Sequence, residues 1–270
     1  MPAGISRGTI RIVSLAPNVT SILLALGAGR ELIGVSKWCK DVADVGRRPQ
    51  VGDCLKMDIA EVMRLKPTML IGSVPFAPGT VAKILAESVT FVAINPRSLA
   101  DIERDIRTLG RIANRAATAE KLILKMAHAF DAVARAARAK RTKNRPRVYC
   151  EAWPKPRISS PPWVAELVEI AGGNMVGVGG ERVTDGEVAR AKPDVIVLAW
   201  AATGDRAKPA SALRNPAWQA VPAVKNRRVF VIRDELLNTP GPPLIEGARE
   251  LLRVIHGTSM RADRIVKGRE

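Results

Sequence analysis

The sequence predicts an α/β protein built from two Rossmann-like lobes with parallel sheets, bridged by one long α-helix. In both halves of the chain, short apolar runs typical of buried strands alternate with segments of helical periodicity, an order that produces parallel sheets covered by helices. The two halves also share phrases of sequence, which indicates an internal duplication. A length of 270 residues suits two domains. One sheet of roughly six to eight strands with an inserted helix is the alternative.

The first half opens with a predicted strand over residues 10–15, followed by Pro17, Asn18 and a helix over residues 19–26. This helix ends at the glycine-containing residues 27–29, and a second strand follows over residues 32–35. Asn18 stands at the start of the helix, where an N-cap residue is expected.

The second half repeats this order. A strand over residues 147–150 precedes a helix over residues 164–170 that ends at Gly172 and Gly173, and a short strand follows near residues 175–178. Each half then contains a helix that ends at a Lys-Pro pair and continues into a buried strand. Because the residue before a proline disfavours the helical conformation, Lys66 and Lys192 mark the two helix ends.

A long helix is predicted between the halves, from Ser98 to about Lys140. Ser98 is a suitable N-cap, and Asp101 lies in the first turn. Apolar residues recur at helical spacing along it: Leu99, Ile102, Ile106, Leu109, Ala113, Ala116 and Met126. Gly110 is a position at which this helix can bend. The predicted domains are therefore an N-terminal lobe over residues 1–97, a connecting helix over 98–142 and a C-terminal lobe over 143–270.

The composition is that of a globular protein with a large excess of basic residues. The chain has 43 lysines and arginines against 26 acidic residues, a net charge of +17, and residues 101–147 hold 13 basic against 5 acidic residues. We interpret this excess as a solvated helix face. An acidic partner or nucleic acid is the alternative, although no nucleic-acid motif accompanies the charge.

Several classes of protein are excluded by residue types. Three cysteines, Cys39, Cys54 and Cys150, cannot staple a disulfide scaffold and are interpreted as small buried residues, with a soft-metal or thiol site as the alternative. Two histidines, His128 and His256, are too few for a histidine zinc site. Nucleotide-binding, zincin and hydrolase motifs are missing, so we predict no catalytic residues and no bound metal. The sequence as written starts without the apolar segment of a signal peptide.

Binding residues are expected where strands end, because open α/β sheets bind ligands beyond the carboxyl ends of their strands. Three of the five tryptophans follow predicted strands: Trp38, Trp153 and Trp200. In a chain with few aromatic residues, this placement favours a large, flat or apolar ligand. The alternative is that these rings pack beneath loops.

The same phrases resemble a known family. Residues 11–20, which read RIVSLAPNVT, and the LGAG of residues 26–29 resemble the opening of the cobalamin- and iron-siderophore-binding proteins of ABC importers, the helical-backbone (class III) substrate-binding proteins. The resemblance extends over residues 10–256. The phrases EAWPKP at residues 151–156 and NTPGP at residues 238–242 are similar to the cobalamin branch.

The resemblance implies two α/β lobes bridged by a helix, with the ligand held between the lobes. It also implies a corrinoid ligand bound without catalysis, with no other cofactor. The candidate ligand-binding residues are Asn18, Ser36, Trp38, Cys54, Phe76, Glu151, Trp153, Trp200 and Asp234. In the family an aromatic residue often packs on the corrin near the position of Cys54, so a cysteine there removes one stacking contact. A ferric siderophore or haem is the alternative ligand.

The family also docks on a membrane permease through an acidic residue at the tip of each lobe. The first lobe has no acid over residues 76–83, whereas the second offers Glu181, Asp185 and Glu187. The resemblance implies a periplasmic or cell-surface monomer that partners with an ABC permease and not with nucleic acid. A cytosolic corrinoid-handling or regulatory protein is the alternative.

Overall fold

A computed structural model describes residues 10–140, 144–204 and 206–257. The chain divides into two compact units. In the described part, the first unit comprises residues 10–96 and 100–125, and the second comprises residues 97–99 and the chain from residue 126 onward. Each unit holds one five-stranded sheet covered by helices. The α/β class with two Rossmann-like units is thereby confirmed.

The strands of the first unit are β1 (Ile12–Ser14), β2 (Leu32–Ser36), β3 (Gln50–Val51), β4 (Met69–Ser73) and β5 (Thr90–Ile94). Its helices are α1 (Pro17–Ala25), α2 (Ile59–Arg64), α3 (Pro78–Leu85) and α4 (Leu99–Ile112), followed by α5 (Ala116–Ala139), which continues into the second unit. The strands are all parallel, in the order β3-β2-β1-β4-β5. All five carboxyl ends therefore lie at one edge of the sheet, with the apolar residues of β1 and β4 buried at its centre.

The strands of the second unit are β6 (Arg147–Pro154), β7 (Arg157–Ser159), β8 (Asn174–Met175), β9 (Val195–Leu198) and β10 (Val229–Val231). Its helices are α6 (Trp163–Ile170), α7 (Asp185–Ala191), α8 (Pro209–Leu213), α9 (Pro222–Lys225), α10 (Asp234–Asn238) and α11 (Leu244–His256). Strands β10, β9, β6 and β8 are parallel, whereas β7 pairs antiparallel with β6. The expectation of a wholly parallel second sheet is corrected by this hairpin.

The expected single helix over residues 98–140 is wrong. The chain forms two helices, α4 and α5, and the break lies at Asn114, whose φ of 56° is left-handed. Gly110 does not bend a helix but allows contact between two of them, because a Cβ at this position would lie 2.6 Å from Cβ of Ala119. The long helix that runs from the first unit into the second is therefore α5 alone.

The repeated Lys-Pro phrases have a common backbone conformation. Lys66 and Lys192, which end the turns after α2 and α7, have left-handed φ angles of 49° and 45°. Each is followed by a proline and then by a central strand. A proline disfavours the helical conformation in the residue before it. The left-handed conformation of each lysine avoids this conflict and ends the helical turn.

Replacing Gly110 by alanine is expected to destabilise the first unit by about 1–3 kcal/mol, because α4 and α5 would have to separate. Gly79→Ala is the matched control, since its new Cβ would have no atom within 4 Å in helix α3. We expect this control to be neutral or slightly stabilising. Chemical denaturation of both variants measures the difference, and equal stabilities would contradict the close contact.

Within the described part of the chain, no helix combines the length and the apolar character that a membrane crossing requires. The same residues contain no cluster of three or more histidine, cysteine or acidic side chains placed to hold a metal ion.

Candidate functional site

The carboxyl edge of the first sheet presents an exposed tryptophan held in one orientation. Trp38 follows β2 and is 37% exposed. Its Nε1 donates a hydrogen bond of 2.9 Å to Oδ2 of Asp53, and Nζ of Lys37 lies 3.1 Å from the same oxygen. The Lys37 ammonium also stands 4.8 Å from the centre of the indole ring. The arrangement offers a fixed apolar surface beside a positive charge.

Asp53 is the residue that orients this surface. Its Oδ1 accepts hydrogen bonds from the backbone N–H groups of Leu55 and Lys56, at 3.0 and 2.8 Å. Partial burial would raise the pKa of Asp53, but hydrogen bonds from the Lys56 backbone, Trp38 and Lys37 outweigh it and lower the pKa below its usual value. The carboxylate therefore stays charged at neutral pH. Asp53 is not among the predicted binding residues, although it lies two residues after the end of β3.

Of three other candidates in the first unit, Ser36 and Cys54 are buried and Phe76 is half-buried. Ser36 is 1% exposed, and its Oγ lies 3.1 Å from Sγ of Cys39. Cys54 is buried and donates to the carbonyl oxygen of Leu15 at 3.1 Å, and burial raises its pKa to about 11. The ring of Phe76 packs edge-on against Phe91, with 5.4 Å between centroids. Ser36 and Cys54 thus use their polar atoms within the unit.

Asn18 is not an N-cap, because α1 begins at Pro17 with Ala16 as its cap. Asn18 lies in the first turn and is 3% exposed. Its Nδ2 has no hydrogen-bond partner among the residues that the structure describes. A buried amide donor beyond the end of β1 is a group that an acceptor from a ligand can satisfy.

In the second unit, Trp153 lies within β6 and not in a loop after it. The residue pairs with Ile158 of β7, and its Nε1 donates to the carbonyl oxygen of Lys155 at 2.9 Å. The side chain is 41% exposed. A hairpin therefore fixes this indole with much of its surface open to solvent. The expected strand over residues 147–150 is corrected to Arg147–Pro154.

Glu151 accepts hydrogen bonds from three side chains of the second unit. It is fully buried, and its Oε1 accepts a hydrogen bond of 2.9 Å from Nε1 of Trp200. Its Oε2 accepts bonds of 3.1 Å from the Tyr149 hydroxyl and 2.6 Å from Nη1 of Arg157. Burial and the Glu151 charge raise the pKa of Tyr149, so the hydroxyl stays protonated. Both carboxylate oxygens thus bind residues of the same unit.

Arg157 extends this network to helix α7. Its guanidinium lies 4.3 Å from the centre of the Trp218 ring, and its Nε donates to Asp185, the first residue of the helix. Asp185 also accepts a bond from Asn215 at 3.1 Å. Glu187 closes a capping box with Thr184, and Glu181 is exposed. Of these three acids, Asp185 and Glu187 are engaged within the unit.

Asp234 begins α10 and organises a neighbouring loop. Its two carboxylate oxygens accept hydrogen bonds of 3.1 Å from the backbone N–H groups of Ala202 and Gly204. Burial, followed by the adjacent charge of Glu235, raises the pKa of Asp234 to about 6 despite these bonds. The residue therefore supports the loop after Trp200.

Because the pKa of Asp234 is raised, the folded protein binds the proton more tightly than the unfolded chain does. This group therefore contributes its full stabilisation of the folded protein below about pH 4, and the contribution is lost as the pH rises through about 6. We expect Asp234→Asn to gain stability relative to the unmodified protein between pH 4 and pH 7, whatever the constant offset of the substitution. Melting temperatures of both proteins across this range measure the change. A difference that stays constant with pH would contradict it.

Each unit thus carries, near the carboxyl edge of its sheet, an exposed indole whose Nε1 is hydrogen-bonded within the unit. Exposed, oriented aromatic surfaces at strand ends are typical of ligand-binding α/β proteins.

The chain belongs to the periplasmic binding protein family, whose model matches residues 12–236. Members of this family are non-catalytic, and the prediction that the protein is no enzyme is confirmed by its membership. A substrate-binding lipoprotein of an ABC transporter from Bacillus subtilis, YvrC, is 25% identical over 256 residues, 91% of this chain and 80% of that protein. A vitamin B12-binding protein of Vibrio cholerae is 26% identical over 250 residues, 89% of this chain and 87% of that protein.

Solved structures of the same fold include a periplasmic heme-binding protein from Pseudomonas aeruginosa, with a TM-score of 0.81 and 21% identity over 93% of this chain and 94% of that chain. The vitamin B12-binding protein BtuF of Vibrio cholerae has a TM-score of 0.71 and 22% identity over 91% of this chain and 96% of that chain. These likenesses confirm the fold, and they include binders of two different ligands.

Proposed function

We propose that this protein binds a corrinoid, a vitamin B12-like ligand, as the substrate-binding component of an ABC importer. The observation that carries the proposal is the pair of fixed indoles, Trp38 and Trp153, one at the carboxyl edge of each sheet. Sequence relatives include both an ABC transporter lipoprotein and vitamin B12-binding proteins, which supports the same class of ligand.

The side chains at these edges suit a corrinoid better than haem. Proteins hold haem iron with an axial histidine, cysteine, methionine or tyrosine. In the described ranges Tyr149 and the three cysteines are buried, and His256 is hydrogen-bonded to the carbonyl oxygen of Ala171. Of the methionines there, Met57 and Met126 are buried, and Met63, Met69 and Met175 are half-buried. His128 lies within helix α5. A corrinoid brings its own cobalt ligands and needs only apolar contact and hydrogen bonds from the protein.

The corrin ring has apolar faces and a rim of amide groups. The indoles of Trp38 and Trp153 offer flat contact surfaces, and Nδ2 of Asn18 offers a donor for an amide oxygen. In this proposal Trp200 contributes to the contact surface, Glu151 and Asp234 position it, and Phe76, Ser36 and Cys54 support the first edge from within.

A ferric siderophore is the second candidate, favoured by lysines beside both indoles. Lys37 adjoins Trp38, Lys56 follows in the same unit, and Lys155 adjoins Trp153. Ammonium groups suit an anionic iron chelate.

We further propose that the protein works outside the cytoplasm as a monomer and delivers its ligand to an ABC permease, since its relatives include a substrate-binding lipoprotein. A cytosolic corrinoid-handling protein with no permease is the alternative. Co-purification with a permease encoded beside this chain separates the two, since a cytosolic protein would recover none.

The ligand is tested by absorption spectroscopy. The protein is incubated separately with cyanocobalamin, haemin and a ferric hydroxamate siderophore, desalted, and its spectrum recorded against bovine serum albumin treated alike. The proposal expects a retained corrin band at about one equivalent. The double variant Trp38→Ala/Trp153→Ala should lose the band and keep its fold by circular dichroism. Retention of haem or siderophore without corrinoid would overturn the corrinoid assignment.

A further inference from the structure

Some basic residues of the stretch 101–147 form ion pairs in the folded protein. Arg104 pairs with Asp101 at 2.5 Å, and Arg107 pairs with Glu120 at 2.9 Å and with Glu103 at 3.6 Å. These pairs leave the net charge of residues 101–147 at +8, since their acids are already counted, and the remaining +9 of the chain's +17 lies outside this stretch.

A second basic cluster lies at the amino edge of the second sheet, opposite the edge that holds Trp153. Three segments meet there because their strands are neighbours: residues 145–147, 192–194 and 225–228, which precede β6, β9 and β10. The N–H of Asp194 donates to the carbonyl oxygen of Arg147 at 2.7 Å, and the N–H of Ile196, just after the second segment, donates to the carbonyl oxygen of Arg228 at 3.0 Å. These bonds place the three segments side by side at this edge of the sheet.

The segments read RPR, KPD and KNRR, so they hold six basic residues and one acid. The acid, Asp194, already pairs with Arg147 at 3.7 Å. Arg228 also has a structural role, because its Nη2 donates to the carbonyl oxygens of Val254 and Ile255 at the end of α11. These contacts account for two of the six basic residues.

The other four form what we call the basic edge: Arg145, Lys192, Lys225 and Arg227. All four are exposed. None forms an ion pair with a carboxylate in the described part of the chain. Like charges gathered on one surface repel each other and so destabilise the folded protein. No ion pair among the described residues explains the grouping of these four side chains by a role in the fold.

We propose that the basic edge is a docking surface for anionic lipid headgroups. Several lysines and arginines on one flat surface bind anionic membranes through the density of charge alone. Nucleic acid is disfavoured, because the three segments contain no aromatic residue on which bases could stack. Lys225 ends the four-residue helix α9 and Arg147 begins β6, and the other residues of the three segments lie outside helices and strands, so no helix or β-ribbon long enough to enter a groove presents these side chains. The inference does not depend on the identity of the ligand.

The test is flotation of the full chain with vesicles of phosphatidylglycerol and phosphatidylcholine, compared with phosphatidylcholine alone. One variant carries Arg145→Gln, Lys192→Gln, Lys225→Gln and Arg227→Gln. The control, with the same change of net charge, carries Arg111→Gln, Lys121→Gln, Lys125→Gln and Arg135→Gln on α4 and α5. Circular dichroism establishes that both are folded, and if the quadruple variant does not fold, the pair Lys225→Gln/Arg227→Gln replaces it, with Lys121→Gln/Lys125→Gln as control.

We expect binding to anionic vesicles that weakens with salt, and a loss of about 30-fold or more in the basic-edge variant against less than about fivefold in the control. Equal losses in the two variants would overturn the proposal, because net charge and not this surface would then cause binding. Tighter binding to duplex DNA than to vesicles at physiological salt would also overturn it. Retention of corrinoid by both variants shows that the ligand site is unaffected.

Discussion

Replacing Glu151 by alanine is expected to destabilise the second unit by about 3–5 kcal/mol, the usual cost of removing one partner from a buried charged pair. The substitution leaves the Tyr149 hydroxyl and Nε1 of Trp200 without their acceptor and leaves Arg157 with Asp185 alone. Denaturation followed by tryptophan fluorescence measures the loss. Glu187→Ala is the control, since this carboxylate is exposed on α7 and should lose far less.

The conservative substitution Glu151→Gln separates positioning from stability. An amide keeps the shape but turns one acceptor into a donor, so about 1–3 kcal/mol of stability should be lost. If Glu151 acts on the ligand by orienting Trp200, corrinoid affinity should fall in this variant. It should fall no further when the substitution is made in a Trp200→Phe background. Equal affinity losses in both backgrounds would show that Glu151 does not work through Trp200.

The strands were predictable because their signal is local. Buried parallel strands need a continuous apolar run, and residues such as Val195 to Leu198 supply one without reference to the rest of the chain. The two Lys-Pro phrases likewise mark helix ends through the stereochemistry of one dipeptide. These features gave the α/β class and most element positions correctly.

The errors have a different origin, because they depend on contacts between segments. The apolar spacing across residues 98–140 continues through the break, where Ala113 is buried. The spacing therefore does not reveal the left-handed Asn114 that separates α4 from α5. The β7 hairpin was missed for a similar reason, since residues 157–159 are too short to predict as a strand. Their pairing with β6 is what extends that strand to Pro154.

The candidate site shows the same division. Position after a strand end predicted the exposed indole of Trp38, because that rule follows from sheet geometry. Trp153 is exposed as well, but it lies inside β6, near the carboxyl end of that strand. The rule could not separate Glu151 from a ligand-contacting residue, since its partner Arg157 is identified only by the hairpin. Asp53 and Cys54 both follow β3, so their position in the sequence does not tell them apart. Only the hydrogen bond from Trp38 shows that Asp53 orients the exposed indole.

Replacing Trp153 by alanine is expected to weaken corrinoid binding by about 30-fold, which corresponds to about 2 kcal/mol. The indole is 41% exposed, and its Nε1 bond to Lys155 together with the β6–β7 pairing fixes its orientation before the ligand arrives. A side chain that is already ordered loses little conformational entropy on binding. Its removal should cost under about 1 kcal/mol of folding stability, because it lies outside the core of the second unit.

Trp218→Phe is the matched control for this prediction, because Trp218 is fully buried and donates its Nε1 to the carbonyl oxygen of Asp185 at 3.1 Å. It should lower the melting temperature more than Trp153→Ala does and leave the affinity of the folded protein nearly unchanged. Titration calorimetry with cyanocobalamin and thermal denaturation of the two variants give both quantities. The reverse pattern, a large drop in melting temperature with unchanged affinity for Trp153→Ala, would assign Trp153 to packing. The contact surface would then be formed by Trp38 and Trp200.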